Sequence, residues 1–203
     1  MADGLDPTKV IVGTASAAGL YVAPVGTTLP TDATTALAAA YKPLGYVAED
    51  GQPTLGQSLS TEDVMAWQSL SALRKILTGK EVTLGFTLME ANPDAMGVYF
   101  GTTPPVITDG AFAVDISANE LPPEYVAVVD VKDGLVAMRF VLNRATLSEN
   151  GDTEFSRSAA TGFPVTLTGL DDGTGKIATL FVDDGTGAPA VVSVSSPAKA
   201  DAK

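Results

Sequence analysis

The sequence predicts a mainly β protein, an antiparallel sandwich or barrel-like fold of about eight to ten strands with one short flanking α-helix and extended loops. Three observations predict it. Residues 81–90 alternate, with Val82, Leu84, Phe86 and Leu88 on one side and Thr83, Gly85, Thr87 and Met89 on the other. Asn92-Pro93-Asp94 offers a capping side chain, a proline for the first helical position and an acid for the first turn, and Gly101 offers a stop. Asp133-Gly134 lies between the β-rich runs Tyr125 to Val131 and Leu135 to Leu147. A tight hairpin turn favours that pair because both residues tolerate positive φ.

The remaining elements follow in chain order. Val10 to Val12 and Leu20 to Val25 are short β-type runs divided by small residues. Residues 26–42 are rich in Thr and Ala and form either a loop or a helical turn over Thr35 to Tyr41. Leu44 to Val47 is extended, and Glu49-Asp50-Gly51 reads as a turn. Over Thr61 to Lys80, the apolar residues Val64, Trp67, Leu70, Leu73 and Leu77 recur at helical spacing, with Gly79 placed to end the helix. Phe163 to Leu170 and Ile177 to Val182 form a second predicted hairpin, and Val191 to Val194 offers one edge strand. Pro197 to Lys203 has the composition of a disordered end. Boundaries drawn on this basis are an N-terminal arm over 1–20, a β domain over 21–186 and a flexible tail over 187–203.

The chain has 203 residues, enough to bury a sizeable core, and 45% of them are hydrophobic. Only 18% are charged, which fits either a large core or a surface covered by other subunits. The balance of 24 acids against 12 bases gives a net charge of −12 and disfavours tight nucleic-acid binding, which needs clustered Lys and Arg. With no Cys and no His, disulfides, thiol chemistry, imidazole general bases and thiolate or imidazole zinc sites are all excluded. The polar start MADGLDPTK has no secretory apolar region, and no run reaches the roughly 20 apolar residues of a membrane helix. The expectation is a soluble protein made in a cytoplasm, without membrane, metal or cofactor.

Motifs with chemical potential fail on inspection. Gly169 to Lys176 superficially suggests a phosphate loop, but its spacing is wrong, Ile177 replaces the Mg²⁺-binding hydroxyl, and two Asp residues repel phosphate. Asp-Asp-Gly-Thr-Gly occurs at 171–175 and 183–187; it is either an ion-binding loop or, on the plainer reading, two turns flanking one strand. The paired acids Glu49-Asp50 and Glu62-Asp63 have no opposing acid for glycosidase-type work, and Ser58, Ser60, Ser69 and Ser71 have no His base. No catalytic residue is expected. Trp67, the single Trp, is a candidate core residue or interface anchor.

One ordered set of short motifs resembles a known family. Leu44-Gly45-Tyr46-Val47, Glu49-Asp50-Gly51, Ala66-Trp67, Arg74-Lys75, Thr83 to Asn92 and Tyr99-Phe100-Gly101 resemble the tail tube (major tail) proteins of long-tailed bacteriophages, especially those of actinobacteria. Val128 to Asp130, Arg139-Phe140, Asn143 to Gly151 and Phe163 to Gly169 extend the resemblance over roughly 40–182. Some relatives carry an additional immunoglobulin-like domain, for which this sequence has no room.

The resemblance implies a virion protein whose subunits form stacked, hexameric rings, with neighbouring sheets joined into a β-barrel around an acidic channel. Double-stranded DNA would pass through without specific binding. It also implies partners: further copies, a tape measure protein, a tail terminator and tail-tip proteins. In place of the helix period, it implies strands around Trp67. The acidic, Gly-containing stretch Glu49 to Asp63 is the candidate loop for contact between subunits or rings, with Glu49, Asp50, Gly51, Gln52, Glu62 and Asp63 as its named residues. Other readings are a head-decoration or tail-completion subunit, or a β-sandwich module binding carbohydrate or protein; the low aromatic content disfavours the last.

Overall fold

A computed structural model describes residues 10–13 and 19–185. Its strands are β1 (Gly19–Pro24), β2 (Lys42–Pro43), β3 (Thr54–Val64), β4 (Arg74–Leu88), β5 (Glu124–Asp133), β6 (Val136–Asn150), β7 (Phe163–Gly169) and β8 (Ala178–Asp183), with one helix, α1 (Pro93–Phe100). All pairings are antiparallel. The strands run in the order β2-β1-β5-β6-β7-β4-β3, and β8 adds to β6.

The sheet folds over on itself through residues 44–48. Leu44 N–H donates to the Leu20 carbonyl at one end of this segment; at the other, Met89 N–H donates to Tyr46 O and Ala48 N–H to Thr87 O. Strands β1 and β4, four places apart in the sheet, are thereby drawn together. One apolar core accordingly contains Leu20 of β1, Leu84 and Phe86 of β4, Ala127 of β5, Leu142 of β6, Leu167 of β7 and Val98 of α1. The alternation of 82–88 thus finds its physical reason, since the even-numbered side chains all enter this core.

The predicted helix is present with both its caps. Asn92 Oδ1 accepts from Ala95 N–H at 2.8 Å, and Gly101 ends the helix at φ 64°, a left-handed conformation that costs glycine little. Asn92 Nδ2 also donates to Leu44 O at 3.2 Å, so one side chain both caps α1 and fixes the closing segment.

A second, smaller core lies on the opposite face of the sheet, where residues 26–41 cover Ala23, Val126, Val128 and Val141 and bury Tyr41. Strand β5 is therefore buried on both faces, which explains its unbroken apolar run Tyr125 to Val129. The hairpin at Gly134 (φ 60°) joins β5 to β6 as the sequence indicates.

Several expectations require correction. Val10 to Val12 forms no strand; Val12 N–H instead donates to Asp133 Oδ2. Thr35 to Tyr41 is turn and loop, with no helix. The helix suggested for Thr61 to Lys80 is replaced by the ends of β3 and β4 and the turn between them, with Gly79 opposite Ser60 inside the ladder. The apparent period arises because Val64, Trp67, Leu70, Leu73 and Leu77 are spread over two strands and a tip, not along one face. Finally, β7 and β8 do not pair with each other. Leu170 N–H bonds Arg144 O and Asn143 N–H bonds Ile177 O, while the Asn143 side chain holds Asp172. The intervening loop is thus tied to the middle of β6, and the two strands lie end to end along the same edge of it. The expected strand at Val191 to Val194 and the tail beyond it lie outside the described residues.

Candidate assembly interface

The candidate contact residues divide between two places. Glu49, Asp50 and Gly51 form a single 3-10 turn, closed by Gln52, against the Leu88 end of β4. Glu62 and Asp63 belong to β3 and not to a loop, because the ladder with β4 begins at Thr54. Adjacent strand residues point to opposite faces: Asp63 lies across from Lys75 and pairs with it at 3.1 Å, whereas Glu62 lies across from Ile76. The long "loop" expected over 49–63 is thus a short turn followed by a strand.

Strands β3 and β4 outrun the sheet. Strand β7 supports β4 only from Thr83 to Leu88, so Arg74 to Val82 is paired with β3 alone. At a strand rise of about 3.3 Å, this leaves an arm of about 30 Å. A bulge near Ser60 and Thr61 shifts the register within it. The arm carries Leu59, Ile76 and Leu77 exposed, and its tip exposes Met65, Trp67, Leu70 and Leu73. Trp67 is 98% exposed, so the core reading of this residue is corrected. A two-stranded ribbon with no packed face is marginal in water. Its sequence signal is charge: residues 54–82 hold Glu62, Asp63 and Glu81 against Arg74, Lys75 and Lys80, neutral in a chain of net charge −12.

The outward face of the supported sheet has a distinct chemistry that the sequence reading missed. Cross-strand register aligns Gly56, Thr83, Thr168 and Thr146 in one row, and Thr54, Gly85, Thr166 and Glu149 in the next. Ser58 and Glu81 continue it toward the arm. Hydroxyls, glycines and acids make up these rows. The signal lay in the polar positions between the core residues of 81–88, but matching partners required the register of three other strands.

Two open grooves flank the Glu49–Gly51 turn, of 560 and 450 Å³. The first is lined by Glu49, Asp50 and Glu149, the second by Glu49, Asp50, Asp152 and Glu154, with Thr87 and Pro164 common to both. Among the described residues, no group of three or more acidic, His or Cys side chains could hold a metal ion. Asp171 and Asp172 accept from the N–H groups of Gly173, Thr174 and Gly175 in their own loop, and Asp172 also accepts from Asn143 Nδ2 on β6. No helix among those residues is long and apolar enough to cross a membrane.

Among the described residues, β3 has an open strand edge and the arm an uncovered apolar tip, features that suit a structural subunit. Comparison with known proteins supplies the family. The family described as phage tail tube protein matches residues 3–192, and the chain belongs to that family. It is a structural protein of the virion tail, where subunits of this kind self-assemble into a tube. No curated protein matches the chain. Among solved structures, a chain from "Virion of native gene transfer agent (GTA) particle" is similar at 10% identity, with a TM-score of 0.41, covering 85% of this chain and 99% of that one.

Proposed function

We propose that the subunits close head to tail into hexameric rings and that the rings stack into a tube whose acidic channel conducts double-stranded DNA. The observation that carries this reading is the open edge of β3 at the end of the sheet order. A heterologous contact at such an edge, repeated around a closed ring, pairs every edge and leaves none exposed to aggregation.

The channel wall in this reading is the outward face of β3, β4 and β7. Its Thr, Ser and Gly rows and its acids Glu81 and Glu149 offer DNA phosphates no cation to condense on, so passage is not slowed by binding. A tape measure protein would occupy the channel before DNA does, and terminator and tip proteins would close the tube ends. Electron microscopy of concentrated or seeded protein tests the reading: hollow tubes built from six-fold rings are expected, and compact monomers under every condition would defeat it.

A further inference from the structure

The chain has four Asn residues, and their neighbours give them unequal chemistry. Asn92 precedes Pro93, whose nitrogen carries no hydrogen and is blocked by its own ring. Asn143 is buried in β6 and donates to Asp172. Asn119 lies in an exposed turn, but the side chain of Glu120 crowds the amide that follows it. Asn150 alone is followed by a glycine, which leaves the adjoining nitrogen unhindered. The fold requires that glycine, because a Cβ on Gly151 would stand 2.9 Å from the Pro164 side chain. Close packing of the β6 end on β7 thus places the most reactive Asn context of the chain at an exposed position.

Helix α1 and β7 hold the same dipeptide closed. Asn150 pairs with Val165, and Gly151 N–H donates to Pro164 O at 3.0 Å. Asn150 Nδ2 donates to Tyr99 O at 3.4 Å. Tyr99 Oη donates to Gly151 O at 2.9 Å and accepts from Thr153 Oγ1 at 3.0 Å. Tyr99 is itself buried, with its ring edge-on to Phe163. The nitrogen is therefore engaged in a ladder bond, and the side-chain amide is tied to α1.

We propose that Asn150-Gly151 is a site of spontaneous deamidation gated by the docking of α1. When the clamp opens, Gly151 N attacks Asn150 Cγ. The amide proton passes through solvent to Nδ2, which leaves as ammonia, and a succinimide remains. Water then opens the ring, at Cγ to give aspartate or at the Asn150 carbonyl carbon to give isoaspartate. Either product carries a carboxylate that cannot donate to Tyr99 O, and isoaspartate lengthens the main chain by a methylene and breaks the register with Val165. A converted subunit cannot rebuild the clamp, so the reaction marks chains whose α1 has spent time undocked.

Full-length protein incubated in mildly alkaline buffer, with and without urea, tests this, with peptide mass spectrometry following the amide-to-acid change at each Asn. In urea, Asn150 should convert first, and Gly151→Ala should slow it there, where the fold plays no part. Without urea, the rate at Asn150 should fall at least about tenfold, the mark of a reaction that needs local opening. Tyr99→Phe removes two hydrogen bonds of the clamp and should raise that native rate about fivefold with unchanged circular dichroism. If Tyr99→Phe does not fold, Thr153→Val removes one of the two bonds and should raise the rate about threefold. Another Asn converting before Asn150 in urea, or a Gly151→Ala rate equal to wild type there, overturns the site. Equal rates with and without urea, or no acceleration in the folded clamp variant, overturn the gate.

Discussion

Arg139 and Asp130 face each other across β5 and β6 and share two hydrogen bonds, Nε to Oδ1 at 2.6 Å and Nη2 to Oδ2 at 2.8 Å. Arg139 is only 3% exposed. Its remaining nitrogen, Nη1, donates to the carbonyls of Asp32 at 3.0 Å and Thr35 at 2.8 Å. One guanidinium therefore holds the 26–41 loop over the second core, and its hydrogen bonds to the Asp130 carboxylate keep its pKa raised.

Removing one member of a buried pair strands the other, so Arg139→Ala should cost about 3–5 kcal/mol in urea unfolding. Replacing both partners, as Arg139→Met with Asp130→Leu, should recover most of that loss. A single-variant cost below about 1 kcal/mol would contradict the role given to the pair.

Asp32 supplies a pH dependence to the same loop. Its carboxylate accepts from Thr35 Oγ1, Thr35 N–H and Thr34 N–H, which lower its pKa from 3.8 to about 2. A depressed folded pKa stabilises the fold above the unfolded value, and that contribution is lost as pH falls from about 4 to about 2. Stability measured across this window should fall more steeply for wild type than for Asp32→Asn. Parallel curves would show that the loop does not use the carboxylate.

The cap at Asn92 is expected to act locally. Asn92→Ala should cost about 1 kcal/mol. For a chain of this size, that loss lowers Tm by about 2–4 °C. A larger fall would mean that the bond to Leu44 O, and not the cap, carries most of the effect.

Two leucines separate folding from assembly. Leu84 is 2% exposed in the main core, and Leu84→Ala should cost about 2–5 kcal/mol. Leu70→Ala at the exposed tip should change stability by no more than about 0.5 kcal/mol and yet abolish tube formation. Tubes of normal length from Leu70→Ala would remove the arm from the assembly mechanism.

The face proposed to line the channel predicts a gain of binding. Thr166→Lys combined with Thr168→Lys should give tubes that retain DNA at low salt and release it as salt rises, since each new phosphate contact is salt-sensitive. Tubes of the double variant that ignore DNA would show that this face lies away from the channel.

How much of this was legible beforehand differs from element to element. The core side of 82–88, the caps of α1 and the turn at Gly134 could each be read from a few neighbouring residues. Membership of the tail tube family could be read as well, because its short motifs keep their order along the chain. The candidate contact residues were legible only as types: the turn read at Glu49-Asp50-Gly51 is present, whereas Glu62 and Asp63, expected in a loop, lie on β3, and Trp67, read as a core residue or an interface anchor, is exposed at the tip.

By itself the sequence determined the local structures, because capping, turn geometry and side-chain alternation act within a few residues of chain. Tertiary structure alone decided that β7 and β8 share one edge of β6, and that apolar residues at helical spacing form an uncovered ribbon. Strand pairing joins segments far apart in sequence, and the same leucine is core or surface according to whether a third strand lies beside it.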